Sequence, residues 1–193
     1  MNSFQLYFRL GWQHILDIQG FDHILFVLAL CAVFIPRDWK KILILVTAFT
    51  LGHSLTLALA TFNIINARTD VIEFLIPVTI AITAFVTILK PRPSTGRGIQ
   101  LNYGFAIFFG LIHGLGFSNY LRQLLGKEAS LWQPLLSFNI GLEVGQIVIV
   151  GAFLLLTSIF VGIAGVNRKE WTLVISSIVL GVSLMLLLEA KFW

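Results

Sequence analysis

Long apolar runs dominate this chain, and polar positions inside them are few. Six runs stand out, at Trp12–Ile35, Ile42–Phe62, Val71–Leu89, Leu101–Leu121, Pro134–Val161 and Trp171–Leu188. A helix needs roughly 20 apolar residues to cross the hydrocarbon of a bilayer, and each run reaches or approaches that length. The pattern predicts an all-α fold, a polytopic transmembrane helical bundle of about six spans. It forms one integral membrane domain over residues 1–193. The first run is the least regular. Phe4 to Leu16 is amphipathic and fits the membrane interface, with Gly20 as a hinge, and Phe21–Ile35 alone is short for a crossing. The fifth run is long enough to tilt.

Composition supports the class and narrows the function. The chain is 58% hydrophobic and 11% charged, with a mean hydropathy of +0.92. Soluble domains carry about 25% charged residues, so this material has too little polar surface for a water-soluble fold. The net charge of +4 comes from loops rather than a basic face, which argues against nucleic acid. No phosphate-binding loop, HExxH or GxSxG motif is present, so no nucleotide partner is expected. Cys31 stands alone in an apolar run and offers no disulfide framework. No basic stretch precedes the first apolar run, and a removed signal peptide is not expected.

Loop charge predicts the orientation. The loops after runs one, three and five hold eight basic residues: Arg37, Lys40, Lys41, Lys90, Arg92, Arg97, Arg168 and Lys169. The opposite side holds five: Arg9, Arg68, Arg122, Lys127 and Lys191. The positive-inside rule puts the first set in the cytoplasm and both termini outside. The predicted cytoplasmic loops are 36–41, 90–100 and 162–170, the second marked as a turn region by Pro91, Pro93 and Gly96.

All four histidines, His14, His23, His53 and His113, fall in or beside apolar runs, as do Asp22, Glu73, Asn139, Glu143 and Gln146. Ionisable groups at membrane depth are costly and usually mark a binding or transport site. By run position these residues share one level, toward the outer face, and one convergent site explains that more simply than separate accidents. The residue types include those that hold transition metals.

Four motifs carry them. In Gly20-Phe21-Asp22-His23, adjacent residues on a helix point about 100° apart, so Asp22 either ligates or orients a neighbouring imidazole. The plainer alternative is a helix cap with an interfacial histidine. Thr50-Leu51-Gly52-His53-Ser54 and Gly110-Leu111-Ile112-His113-Gly114 each set a histidine among small residues, which permit close helix approach. The alternative there is packing, with the imidazole bonded to a carbonyl. Asn139, Glu143 and Gln146 follow i, i+4, i+7 and share one helix face. That face lines a metal site, a water path or a proton relay, or it makes only interhelical hydrogen bonds. Asp70 and Glu73 also suit a helix start, where acids are favourable, and Pro77 and Thr79 can open that helix locally.

The set GWQHILDIQGFDHILF, TAFTLGHSLTL, FGLIHGLGF and FNIGLEVGQ resembles the HupE/UreJ family of small bacterial membrane proteins. The resemblance covers roughly residues 11–57 and 105–150. Its histidine upstream of Gly-x-Asp-His maps to His14, Gly20, Asp22 and His23, and its Gly-His-Ser element to Gly52, His53 and Ser54. Its His-Gly element maps to His113 and Gly114, and its Asn-x-Gly-x-Glu element to Asn139, Gly141 and Glu143. The resemblance implies nickel or cobalt acquisition for hydrogenase or urease.

The expected function is a divalent transition-metal permease, nickel- or cobalt-like, in the bacterial cytoplasmic membrane. His14, Asp22, His23, His53, His113 and Glu143 are the candidate metal residues. Glu73, Asn139, Gln146, Ser54 and Thr50 are candidates for the path or for supporting contacts. Imidazole suits nickel, cobalt, zinc and copper(II), so the ion expected is a divalent transition metal, with nickel, cobalt or zinc in view. Two rival readings are an intramembrane zinc-dependent hydrolase, with Glu143 or Asp22 as base, and a metal-binding or assembly subunit without transport. No catalytic residue is assigned under the permease reading, and the expected partners are membrane lipid and the metal ion.

Overall fold

The computed structural model of the protein describes residues 2–18, 20–91, 97–125 and 131–190. All regular structure in them is helical: α1 (Ser3–Ile15), α2 (Asp22–Cys31), α3 (Trp39–Thr61), α4 (Thr69–Leu89), α5 (Arg97–Leu125), α6 (Trp132–Thr157) and α7 (Arg168–Glu189). A 3-10 turn at Pro36–Asp38 leads into α3, and a π-helical turn at Ser158–Ile163 extends α6.

The prediction of about six spans is corrected. Among the described residues four helices are long and apolar enough to cross a membrane: Pro36–Thr61, Thr69–Leu89, Trp132–Ile163 and Arg168–Glu189. They make the chain a multi-pass membrane protein. The first predicted span is broken into α1 and α2, which flank a non-helical stretch around Gly20. At 10 residues α2 is apolar but reaches only about 15 Å at 1.5 Å per residue, half the hydrocarbon thickness. The fourth predicted span lies in the 29-residue α5, which is not among the four. Its apolar run is interrupted by Asn102, Gly104, Gly110, His113, Gly114 and Gly116. Of the predicted loop 90–100, residues 92–96 lie outside the described residues, as do Lys127 and Lys191 of the charge count.

Two close helix pairs frame the interior. In the α3·α5 pair, a Cβ on Gly52 would run into the Ile107 carbonyl, and one on Gly110 into the Phe49 carbonyl. In the α1·α6 pair, a Cβ on Gly11 would meet the Phe138 carbonyl and one on Gly141 the Phe8 carbonyl. Glycine at these four positions lets backbones touch, the small-residue packing on which membrane helices rely. Between the pairs lies a core that includes Phe26, Phe49, Phe138, Ile15 and Ile80, all 0–1% exposed.

A helix ending inside the protein leaves carbonyls that must find donors. At the end of α2, the Thr172 hydroxyl donates to the Ala32 carbonyl at 2.9 Å, and the Arg168 guanidinium donates to the Val33 carbonyl at 2.6 Å. Arg168 also reaches Asp38 at 3.5 Å, and Lys41 pairs with the same carboxylate at 2.9 Å. The broken helix is thereby tied at its C-terminal end to α7 and to the start of α3.

Candidate metal centre

The break between α1 and α2 brings two histidines together. His14 lies in the last turn of α1 and His23 in the first turn of α2, with ring centroids 4.6 Å apart. His53, carried by α3 beside Gly52, sits 6.2 Å from the His14 ring and 6.0 Å from the His23 ring. Each of the three offers a ring nitrogen, and these nitrogens all lie within 4.8 Å of one another. Around one tetrahedral ion with Zn–N-like bonds of 2.0–2.1 Å they would stand roughly 3.4 Å apart. Modest side-chain adjustment therefore closes the group on a first-row ion.

Hydrogen bonding leaves the right atoms free. The Asp22 carboxylate accepts from the His23 backbone N–H at 2.8 Å and from His23 Nδ1 at 2.9 Å. That fixes the tautomer with the lone pair on Nε2, the usual support for a ligating imidazole. His23 Nε2, His14 Nε2 and both ring nitrogens of His53 are buried without a hydrogen-bond partner. Leaving buried polar atoms unpaired costs about 1–3 kcal/mol each. Nitrogen donors with nothing else to bond suit a borderline-soft transition metal.

His113 joins the same neighbourhood from α5. Its ring is 5.3 Å from that of His23, and it is 1% exposed. The Thr79 hydroxyl donates to the Ile76 carbonyl at 2.7 Å, so at 3.2 Å it accepts from His113 Nε2. His113 Nδ1 then carries the lone pair, buried and unpartnered. Phe26 and Phe49 close the cluster on the side of His113, with ring centroids 5.0 and 5.2 Å from it. On the other side the His14 ring lies 4.0 Å from that of Phe117 and lines an open cleft of about 730 Å³, with Gln13, Asp17 and Tyr120 also on its wall.

Of these groups His14, Asp22, His23 and His113 lie outside the four spans. Burial holds the His14 imidazole well below its ordinary range, and the neighbouring His23 adds to the effect. Burial alone would raise the Asp22 carboxyl, but the charge and hydrogen bonds of His23 prevail and hold it well below the usual carboxylate range. The result is a neutral His14 beside an ionised Asp22, the protonation states metal binding requires.

The remaining sequence-predicted residues are placed elsewhere. Glu143 accepts from the Thr47 hydroxyl at 2.7 Å, and Gln146 contacts the Thr50 hydroxyl at 2.6 Å, along the α3–α6 seam. Asn139 Nδ2 donates to the Leu135 carbonyl at 2.8 Å. Ser54 is half-buried on α3, and Glu73 is exposed on α4. None of these belongs to the three-histidine group. Sequence reasoning missed Thr47 and the Phe117 contact. Thr47 was signalled by its spacing, since Thr47, Thr50 and Ser54 follow i, i+3, i+7 on one face of α3.

A family model described as HupE / UreJ protein matches residues 1–190. No curated protein and no solved structure matches the chain. The chain belongs to the HupE/UreJ family.

Proposed function

We propose that this protein is a permease for a divalent first-row transition metal of the nickel or cobalt class, in the bacterial cytoplasmic membrane with both termini outside. The observation that carries the reading is the group of three imidazoles with bond-free nitrogens, one of which, His14, lines an open cleft. A neutral His14 on the cleft wall is the first ligand met by an incoming ion. His23, oriented by Asp22, and His53 complete its coordination, and His113 offers the next lone pair inward. Asn139, Glu143, Gln146, Thr50 and Ser54 support the path beyond, and Glu73 remains at the exposed start of α4. A 2+ ion gains about 4.6 kcal/mol per 100 mV on moving inward, twice the single-charge figure, so membrane potential is a sufficient driving force.

The test is flux of Ni²⁺, Co²⁺, Zn²⁺ and Cu²⁺ into sealed vesicles containing the purified protein, across imposed voltages and pH gradients. The expected result is saturable uptake of at least one ion, lost in His53→Ala that still folds. Absence of flux for every ion under every gradient would overturn the permease reading.

A zinc-dependent hydrolase is the second reading, favoured by the open cleft on which His14 lies, through which water would reach a zinc held by three imidazoles. Firmly retained zinc without flux would select it. Reversible metal binding without flux or hydrolysis would select the binding or assembly role.

A further inference from the structure

Because α2 stops at Cys31, the helices around its end are left with space between them. The ties to α7 and to the start of α3 hold that end. Toward α4 and α5 lies a groove of about 200 Å³, remote from the cleft beside His14. Its floor includes Ala29, Phe34 and Leu45, each 1% exposed. Val86 of α4 and Phe105 of α5 stand exposed on its walls, so it opens sideways between two membrane helices.

Polarity is graded along the groove. The α4 wall runs from Thr83 to Lys90 and the α5 wall from Phe109 to Asn102. Helix α4 ends at Leu89 and α5 begins at Arg97, so Lys90 and Asn102 share one end. Thr83 and Phe109 lie about 10 Å deeper, at seven residues of helix rise. The Thr83 and Thr87 hydroxyls donate to the Thr79 and Thr83 carbonyls of their own helix, at 2.8 and 2.9 Å. Their protons are thus spent within α4, and the deep part is lined by methyl, methylene and aromatic surface. At the polar end Lys90 is exposed, and among the described residues no carboxylate pairs with it. Successive spans run in opposite directions, so Lys40 and Lys41 at the start of α3 lie at this same basic end.

We propose that the groove binds an anionic phospholipid of the bilayer, its phosphate at Lys90 and Asn102 and an acyl chain along the apolar floor. One polar end and one apolar length match a lipid rather than a hydrophilic solute. The sideways opening faces hydrocarbon, from which a chain enters without crossing water. An unfilled groove would forfeit dispersion contacts that a chain restores. The charge selects the headgroup: basic pockets between membrane helices attract anionic lipid, whereas a zwitterionic lipid brings no net charge for the Lys90 ammonium. Occupancy of the groove does not rest on the permease reading.

The experiment titrates the purified full-length protein in detergent with phosphatidylglycerol, and in parallel with phosphatidylcholine of the same acyl chains. Native mass spectrometry counts bound lipid, and thermal unfolding reports its effect. Phosphatidylglycerol should bind saturably, at lower concentration than phosphatidylcholine, and raise the unfolding temperature. Lys90→Gln should weaken phosphatidylglycerol about fivefold, the loss expected for one lysine at an anionic lipid surface, and leave phosphatidylcholine unchanged. Lys40→Gln removes the same charge at the same end but outside the groove, and should stay within about twofold of wild type. Thr87→Phe fills the groove and should weaken both lipids, while Ni²⁺ binding in each variant shows that the fold is intact. Should Thr87→Phe fail to fold, the contrast of Lys90→Gln with Lys40→Gln still decides. Equal affinity of the wild type for the two lipids would overturn the proposal. So would equal losses in Lys90→Gln and Lys40→Gln, the mark of diffuse surface attraction. A concentration-dependent dimer lost in Thr87→Phe would assign the groove to a second copy of the chain instead.

Discussion

The α1·α6 and α3·α5 pairs are built on one contact and put to different use. In each helix a glycine stands three residues after the carbonyl that receives the partner's glycine: Phe8 and Gly11, Phe138 and Gly141, Phe49 and Gly52, Ile107 and Gly110. The α3·α5 pair is sealed, with His53 0% and His113 1% exposed. The α1·α6 pair leaves His14 half-buried on a cleft wall, and α1 is a 13-residue helix with exposed polar positions at Gln5, Arg9 and Gln13. Identical backbone packing thus yields a closed wall where both partners, α3 and α5, are long helices, and an accessible wall where one partner, α1, is short and amphipathic. Burial of a histidine is set here by what covers the pair, not by how the pair is joined.

The comparison breaks first at the glycines. Gly52→Val and Gly110→Val force a side chain into a facing carbonyl, and overpacking of this kind costs about 1–3 kcal/mol, occasionally more. Both should fall at the upper end or prevent folding, measured as thermal unfolding in detergent and as protein yield. Gly11→Val and Gly141→Val meet an equally close carbonyl, but the short α1 can shift outward, so their loss should be smaller. Equal losses in both sets would show that α1 is held as rigidly as a span.

The next effect is on metal affinity. Asp22→Asn removes the carboxylate behind His23 and should cost about 10–100-fold, the range for such supporting contacts. His53→Ala deletes a ligand from the sealed wall and should exceed that range, while His14→Ala on the accessible wall should cost less than His53→Ala. Competition titration with Ni²⁺ or Co²⁺ ranks the three. Unchanged stoichiometry and affinity in both His53→Ala and His113→Ala would exclude this centre.

The smallest effect is the pH profile of binding. Because burial lowers the His14 pKa, its neutral, ligating form persists below the ordinary imidazole value of about 6.5. Protons should compete with metal only as pH falls toward that lowered value. Linkage carries the same sign: the stability supplied by neutral, buried His14 is present above about pH 6.5 and is lost as pH falls below it. Binding measured from pH 8 to 5 should stay flat to below 6.5 in the wild type. A midpoint at 6.5 would mean that His14 is solvated like a free imidazole.

Much of this was legible in the pattern of residues. Apolar length located α3, α4, α6 and α7, and the small-residue flanks of His53 and His113 foretold close packing of their helices. The amphipathic start and Gly20 hinge already pointed to a break in the first run, yet summing its apolar residues into one span overcounted the crossings. Helix periodicity put Asn139, Glu143 and Gln146 on one face, and two of them, Glu143 and Gln146, meet α3. It carries no information about which neighbour that face meets, and the neighbour is the threonine stripe of α3. Glu73 shows the same limit: its run position matches the histidines in depth, but its side of α4 is the exposed one.

The tie between the end of α2 and α7 turns a short helix into a lever. Arg168 and Thr172 hold the carbonyls at Ala32 and Val33, while His23 rides at the far tip, about 15 Å away by helix rise. A tilt of roughly 10° about that fulcrum moves the tip by about 2.6 Å, more than the length of a metal–imidazole bond. Phe26, buried in the middle of the rod against Phe49 of α3, resists such a tilt, so the anchored end and the packed middle together keep His23 in the set. The grip on a bound ion and the angle of one 10-residue rod are in this way a single mechanical variable.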